Sequence, residues 1–144
     1  MTKYASVLFV GTTWDDGKRR QAALRQVLHE MDPRWSLKAD VAPTFAAARG
    51  TISRHEELDI VYVANESSRL PMETLRQRCE ELADVLVRHD GKPWVAFNDD
   101  SALDPLVLLF EGRGIRVERD SLENVVHDRW AETEKAEEHQ IAVA

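Results

Sequence analysis

Asp59-Ile60-Val61-Tyr62-Val63-Ala64-Asn65 is the stretch on which the fold turns. Its centre is an unbroken apolar run of β-branched and aromatic residues, too short for a buried helix. That is the pattern of a strand covered on both faces. Val7-Leu8-Phe9-Val10 and Trp94-Val95-Ala96-Phe97 repeat it on either side. Two further segments are half polar: Leu37, Ala39 and Val41 alternate with Lys38 and Asp40, and Ile115 and Val117 alternate with Arg116 and Glu118. Alternation of this kind belongs to strands at a sheet edge. The expected strands are therefore Ser6–Gly11, Ser36–Val41, Leu58–Asn65, Lys92–Asn98 and Gly114–Glu118.

Between the strands the apolar period changes to that of a helix. Leu24, Val27, Leu28 and Met31 form one stripe, and Leu75, Cys79, Leu82 and Leu86 another. Phe45, Ala48 and Ile52 mark a second helix running to Glu57. Leu103, Leu106, Val107 and Phe110 mark a fourth, and Leu122, Val125, Val126 and Trp130 a fifth. Strands alternating with helices predict a parallel sheet with helices on both faces. Buried central strands and polar outer ones, wound by right-handed crossovers, fit the α/β flavodoxin-like order 2-1-3-4-5. Asp15 or Asp16 is expected to cap the first helix, Ser101 the fourth and Ser121 the fifth, with Gly91 closing the third. Residues 1–130 form one domain. Residues 131–144, rich in glutamate, either extend the last helix or fray, and no packed role is expected of them.

Composition narrows the class. The chain has 144 residues, 43% of them hydrophobic, and a formal net charge of −7. An acidic surface repels phosphate backbones, so nucleic-acid binding is not expected. No apolar run approaches the roughly 18 residues that span a bilayer. The opening Met1-Thr2-Lys3-Tyr4-Ala5 is not the basic-then-apolar start of a secretion signal, and a cytoplasmic location is expected. The lone Cys79 sits on an apolar stripe and reads as core. His29, His55, His89, His127 and His139 show no metal-ligand spacing, and no metal or cofactor is expected.

In this fold ligands meet the carboxyl ends of the strands, near the point where strand order reverses. The residues delivered there are Gly11-Thr12-Thr13, Ala64-Asn65-Glu66, Asn98-Asp99-Asp100 and Arg119. Lys92-Pro93-Trp94-Val95-Ala96-Phe97-Asn98, the turn Glu111-Gly112-Arg113-Gly114 and Arg119 resemble the second half of a response-regulator receiver domain, and the resemblance covers roughly residues 5 to 130. It implies a phosphorylation pocket at these strand ends. Two acidic residues that would hold magnesium are replaced by Gly11 and Thr12, and the phosphoacceptor aspartate by Ala64, or by Asn65 with a one-residue slip. The hydroxyl position becomes Asn98 and the conserved lysine Arg119. Without an aspartate no acyl phosphate forms, and without carboxylates magnesium has no hard ligands. The resemblance thus implies a degenerate receiver that acts by contact with a protein partner, a homodimer included. That contact would use the face of the fourth helix, fifth strand and fifth helix, with Arg113, Arg116, Glu118, Arg129 and Trp130.

Plainer readings stand beside these. Asp15 and Asp16 suit a helix start as well as a cation. Gly11-Thr12-Thr13 with Gly17-Lys18 has a phosphate-loop flavour but fits neither nucleotide motif. It is the basis of the other reading, a small nucleotide- or phosphate-binding protein or enzyme. Arg119 forms either an internal ion pair with Glu66, Asp15, Asp16 or Asp99, or none of consequence. Asn98 either crosses the pocket or caps a helix. Trp94 reads as core, and Trp14, Trp35 and Trp130 as lids or partner anchors.

Overall fold

The computed structural model describes residues 2–97 and 103–143, with side chains through Glu134. In chain order the elements are β1 (Lys3–Val10), α1 (Trp14–Met31), β2 (Trp35–Ala42), α2 (Phe45–Arg54), β3 (Ile60–Val63), α3 (Met72–Arg88), β4 (Trp94–Phe97), α4 (Asp104–Glu111), β5 (Val117–Glu118) and α5 (Leu122–Val143). All strand pairs are parallel and the order is β2-β1-β3-β4-β5. This is the flavodoxin-like α/β arrangement, with the two half-polar strands at the edges.

The period of two hidden in the apolar runs now has meaning. Leu8, Val10, Val61, Val63, Val95 and Phe97 face a core shared with α2, α3 and α4. Val7, Phe9, Ile60, Tyr62, Trp94 and Ala96 face the other core, against Leu24 and Leu28 of α1 and Val125 and Val126 of α5. Cys79 is fully buried in the first of these, and desolvation pushes its thiol pKa up to about 12.

Several expected boundaries move, each for a local reason. α1 is capped by Thr13, whose Oγ1 accepts the Asp16 N–H at 3.1 Å, and Asp15 and Asp16 lie in the first turn instead. Thr44 caps α2 in the same way, and α2 stops at Arg54 because His55 adopts an extended backbone on the way back to the sheet. α3 ends at Arg88, before Gly91. Ser101 lies outside the described residues, and α4 starts at Asp104 with Pro105 in its first turn and no side-chain cap. β5 keeps only two residues. Gly114, at φ +79°, belongs to the preceding turn rather than to the strand.

Two aromatic placements also change. Trp35 opens β2 and is buried, meeting Trp130 edge-on with ring centroids 5.8 Å apart. Trp14 starts α1, 51% exposed, with the Lys18 ammonium 4.6 Å from its ring centroid. The backbone of α5 continues to Val143, so the acidic end extends the helix. Its first part does have a packed role, because Glu132 accepts a hydrogen bond from Arg116 at 2.6 Å.

Candidate functional site

The carboxyl ends of β1 and β3 meet in the middle of the sheet, where a receiver-like pocket is expected. Gly11 follows β1 at φ +79°. Its N–H donates to the Ala42 carbonyl at 3.0 Å, and its own carbonyl accepts the N–H groups of Glu66 and Ser67, both at 2.9 Å. A Cβ at Gly11 would stand 2.0 Å from the Ala64 carbonyl oxygen, so only glycine lets the two exits come this close. Ala64 is fully buried, its N–H donating to the Val10 carbonyl at 2.9 Å. Thr12 is fully buried too, and its Oγ1 has no hydrogen-bond partner. Main chain and small side chains fill this corner.

Asn65 turns away from it. Its Nδ2 donates to the Leu70 carbonyl at 2.9 Å and its Oδ1 accepts the Leu70 N–H at 2.8 Å, bracing the loop into α3. Asn98 lies outside the described residues, as do Asp99 and Asp100. The turn from Gly11 to Lys18 is not an open cradle for phosphate. Thr13 already takes the Asp16 and Gly17 N–H groups, and a Cβ at Gly17 would lie 2.6 Å from a Val41 methyl. Gly17 is there so that α1 can lie against β2.

Arg119 pairs with Asp104 of α4, Nη2 to Oδ1 at 2.6 Å, rather than with Glu66, Asp15 or Asp16, and Asp99 lies outside the described residues. Topology explains it: β4 separates β5 from β3, whereas α4 packs beside β5. The cation that reaches Glu66 is Arg20 of α1. Arg20 also donates through Nη1 to the Tyr62 hydroxyl at 3.2 Å, with its guanidinium 5.3 Å from the Tyr62 ring centroid. Neither Arg20 nor Tyr62 stood out in the sequence as a site residue. The signal was weak: Tyr62 is the sole hydroxyl within the apolar run, and a ring with a polar tip usually finds a partner.

The residues of the expected interaction face divide. Arg113 turns to α3 and pairs with Asp84, whose carboxyl is held below its ordinary range by that guanidinium. Arg116 lies over Trp94, 3.8 Å from the ring centroid, and is held between Glu132 and Glu118, each at 2.6 Å. Arg129 lies at the opposite, amino end of the sheet. There Nη2 donates to the Gly91 carbonyl at 2.7 Å and the guanidinium sits 5.4 Å from the Trp94 ring. Trp130 packs against Trp35. Trp94 thus collects Arg116 and Arg129, while Arg113 and Trp130 stand apart from that group.

The same amino end holds a half-buried carboxylate that the sequence did not single out. Asp59 Oδ2 accepts the Ser6 N–H at 2.8 Å, and its Oδ1 is 4.0 Å from Arg129 Nε. Desolvation raises the Asp59 pKa above its ordinary value, against the lowering effect of the Ser6 hydrogen bond and the Arg129 charge.

Among the described residues, no group of three or more His, Cys, Asp or Glu is placed to hold a metal ion. Among them, too, no helix is long and apolar enough to cross a membrane. No family model, no curated protein and no solved structure matches this chain.

Proposed function

We propose that this chain is a receiver-like module that does not take up phosphate and works by binding a protein partner. The observation that carries the reading is the closed corner between β1 and β3. Ala64 stands in the acceptor place, and the Gly11 carbonyl is bonded to two amides of the facing loop. A methyl group forms no acyl phosphate, and the Gly11 and Ala64 main chains lie too close to admit even a Cβ at Gly11.

The partner surface in this reading is α4, β5 and the start of α5. Leu108 on α4 is 76% exposed, with half-buried Val107 and Leu109 beside it. The two-residue β5 leaves the outer edge of the sheet thinly covered. Around it Arg116, Glu118 and Glu132 form a fixed pattern of mixed charge, which favours one partner over others more than it adds affinity. A second copy of the chain is one such partner.

Incubation with acetyl phosphate and magnesium, followed by intact mass, is expected to leave the chain unmodified. A phosphate adduct that survives on this chain overturns the reading. Leu108→Glu is expected to abolish association through this face, read by analytical ultracentrifugation for self-association and by affinity capture for another protein. Retention of the same partners would move the contact elsewhere.

A further inference from the structure

The core against α1 and α5 is not filled to the carboxyl end. A cavity of about 480 Å3 opens there between the two helices. Its floor is Phe9, Tyr62 and Ala96, one residue from each central strand, and Leu24 and Val27 form the α1 wall. Small-molecule sites span about 300–1,000 Å3 and pair an apolar lining with a few polar groups.

The polar groups here include a set of donors short of acceptors. Arg20 spends Nη1 on Tyr62 and Nη2 on Glu66, and its Nε is buried with no partner. A buried N–H without an acceptor is unfavourable and leaves Arg20 incompletely paired. Arg119 lines the same cavity, held through one nitrogen by the exposed Asp104, a pairing that a better acceptor displaces easily. Ser121 and the first turn of α5 complete the rim, and helix geometry leaves first-turn amides without intrahelical acceptors.

Charge then selects among anions. Asp120 and Glu123 also line the cavity, and each arginine already carries a carboxylate partner, Glu66 or Asp104, so among the described residues acids outnumber bases around it. A phosphate dianion gains little from such a rim and meets two carboxylates. A single carboxylate offers two oxygens to a guanidinium at half the charge, and the apolar floor calls for a ring rather than a sugar.

From this arrangement we infer that the α1–α5 cleft binds a small aromatic carboxylic acid, its carboxylate on Arg20 with Arg119 as second donor and its ring over Phe9 and Ala96. The cleft shares the start of α5 with the partner surface, but the inference does not rest on that surface being used.

The test is calorimetric titration of the full chain with 2-naphthoate, its neutral analogue 2-naphthalenemethanol, and inorganic phosphate. 2-Naphthoate is expected to bind saturably at one site, the alcohol at least ~10-fold more weakly, and phosphate without saturation. Arg20→Gln and Arg119→Gln are each expected to weaken 2-naphthoate by ~10-fold. Arg25→Gln, exposed on the same helix, is expected to leave it unchanged. Ala23→Trp, which narrows the cleft from an exposed position, is expected to weaken all aromatic binding while keeping the thermal transition. If Arg20→Gln does not fold, Arg119→Gln, Ala23→Trp and the acid–alcohol comparison decide alone. Absence of saturable 2-naphthoate binding, an alcohol that binds as well as the acid, phosphate that competes equally, or indifference to Ala23→Trp would each overturn the inference.

Discussion

The two ends of the central strands are tied to their neighbours by different means. At the carboxyl end the closure is main chain: the Gly11 carbonyl binds the Glu66 and Ser67 amides, and the Gly11 N–H binds Ala42. At the amino end it is built from side chains. Asp59 takes the Ser6 amide, the Ser6 hydroxyl donates to the Glu57 carbonyl at 2.9 Å, and Arg129 reaches Gly91. The end where this fold ordinarily does chemistry therefore has a closure indifferent to proton concentration, and the opposite end carries the half-buried Asp59.

The largest expected effect is at the carboxyl end. Gly11→Ala must hold a side chain at φ +79° and push it into the Ala64 carbonyl, 2.0 Å away, so at least ~3 kcal/mol of stability is lost in denaturant unfolding. A loss below ~1 kcal/mol would show that the two exits part easily, and the contrast between the ends would fail.

Next comes the amino end. Asp59→Ala leaves the Ser6 amide without its acceptor and is expected to cost ~1–3 kcal/mol. Asp59→Asn keeps an acceptor and removes the charge, which separates packing from titration. The folded protein holds the Asp59 proton to a higher pH than the unfolded chain, whose ordinary pKa is near 3.8. Wild-type stability from this group is therefore present below that value and declines as pH rises through the raised folded pKa. Asn at this position is expected to flatten that decline in thermal melts across the acid range. An unchanged slope would assign the pH dependence to other carboxylates.

The smallest effect returns to the carboxyl end. Ser67→Ala removes the hydroxyl bond to the Pro43 carbonyl but spares the amide bond to Gly11. A loss of ~0.5–1.5 kcal/mol, the same at pH 5 and pH 8, is expected from denaturant titrations. A pH-dependent loss would mean that the main-chain closure is coupled to a titrating neighbour.

How far these features could be read from the chain depends on their range. Ile60–Val63 and its two companions announce doubly covered strands because each residue meets a core whichever face it takes. The alternation around Lys38 and Arg116 places the edges for the complementary reason. That Gly11, Thr12 and Ala64 carry no carboxylate is visible as identities alone. The corner's closure is not, because it depends on the approach of two loops distant in sequence. The pairing of Arg20 with Tyr62 and Glu66 is likewise set by how α1 lies across β3, and several nearby basic residues of α1 compete for it on paper. Arg119 meets Asp104 because strand order, more than rim position, decides which acid is near. Trp35 falls just before the expected strand Ser36–Val41 because that segment looks polar from Ser36 onward, yet it opens β2 with its ring buried against Trp130.

Cys79 is the chain's single thiol, lying deep beneath α3 with its pKa near 12. Thiolate is the nucleophile, so a chromogenic disulfide reagent finds almost none while the domain is closed. Labelling then proceeds only through molecules that have opened, which gives the protein a built-in clock for counting those openings under native conditions.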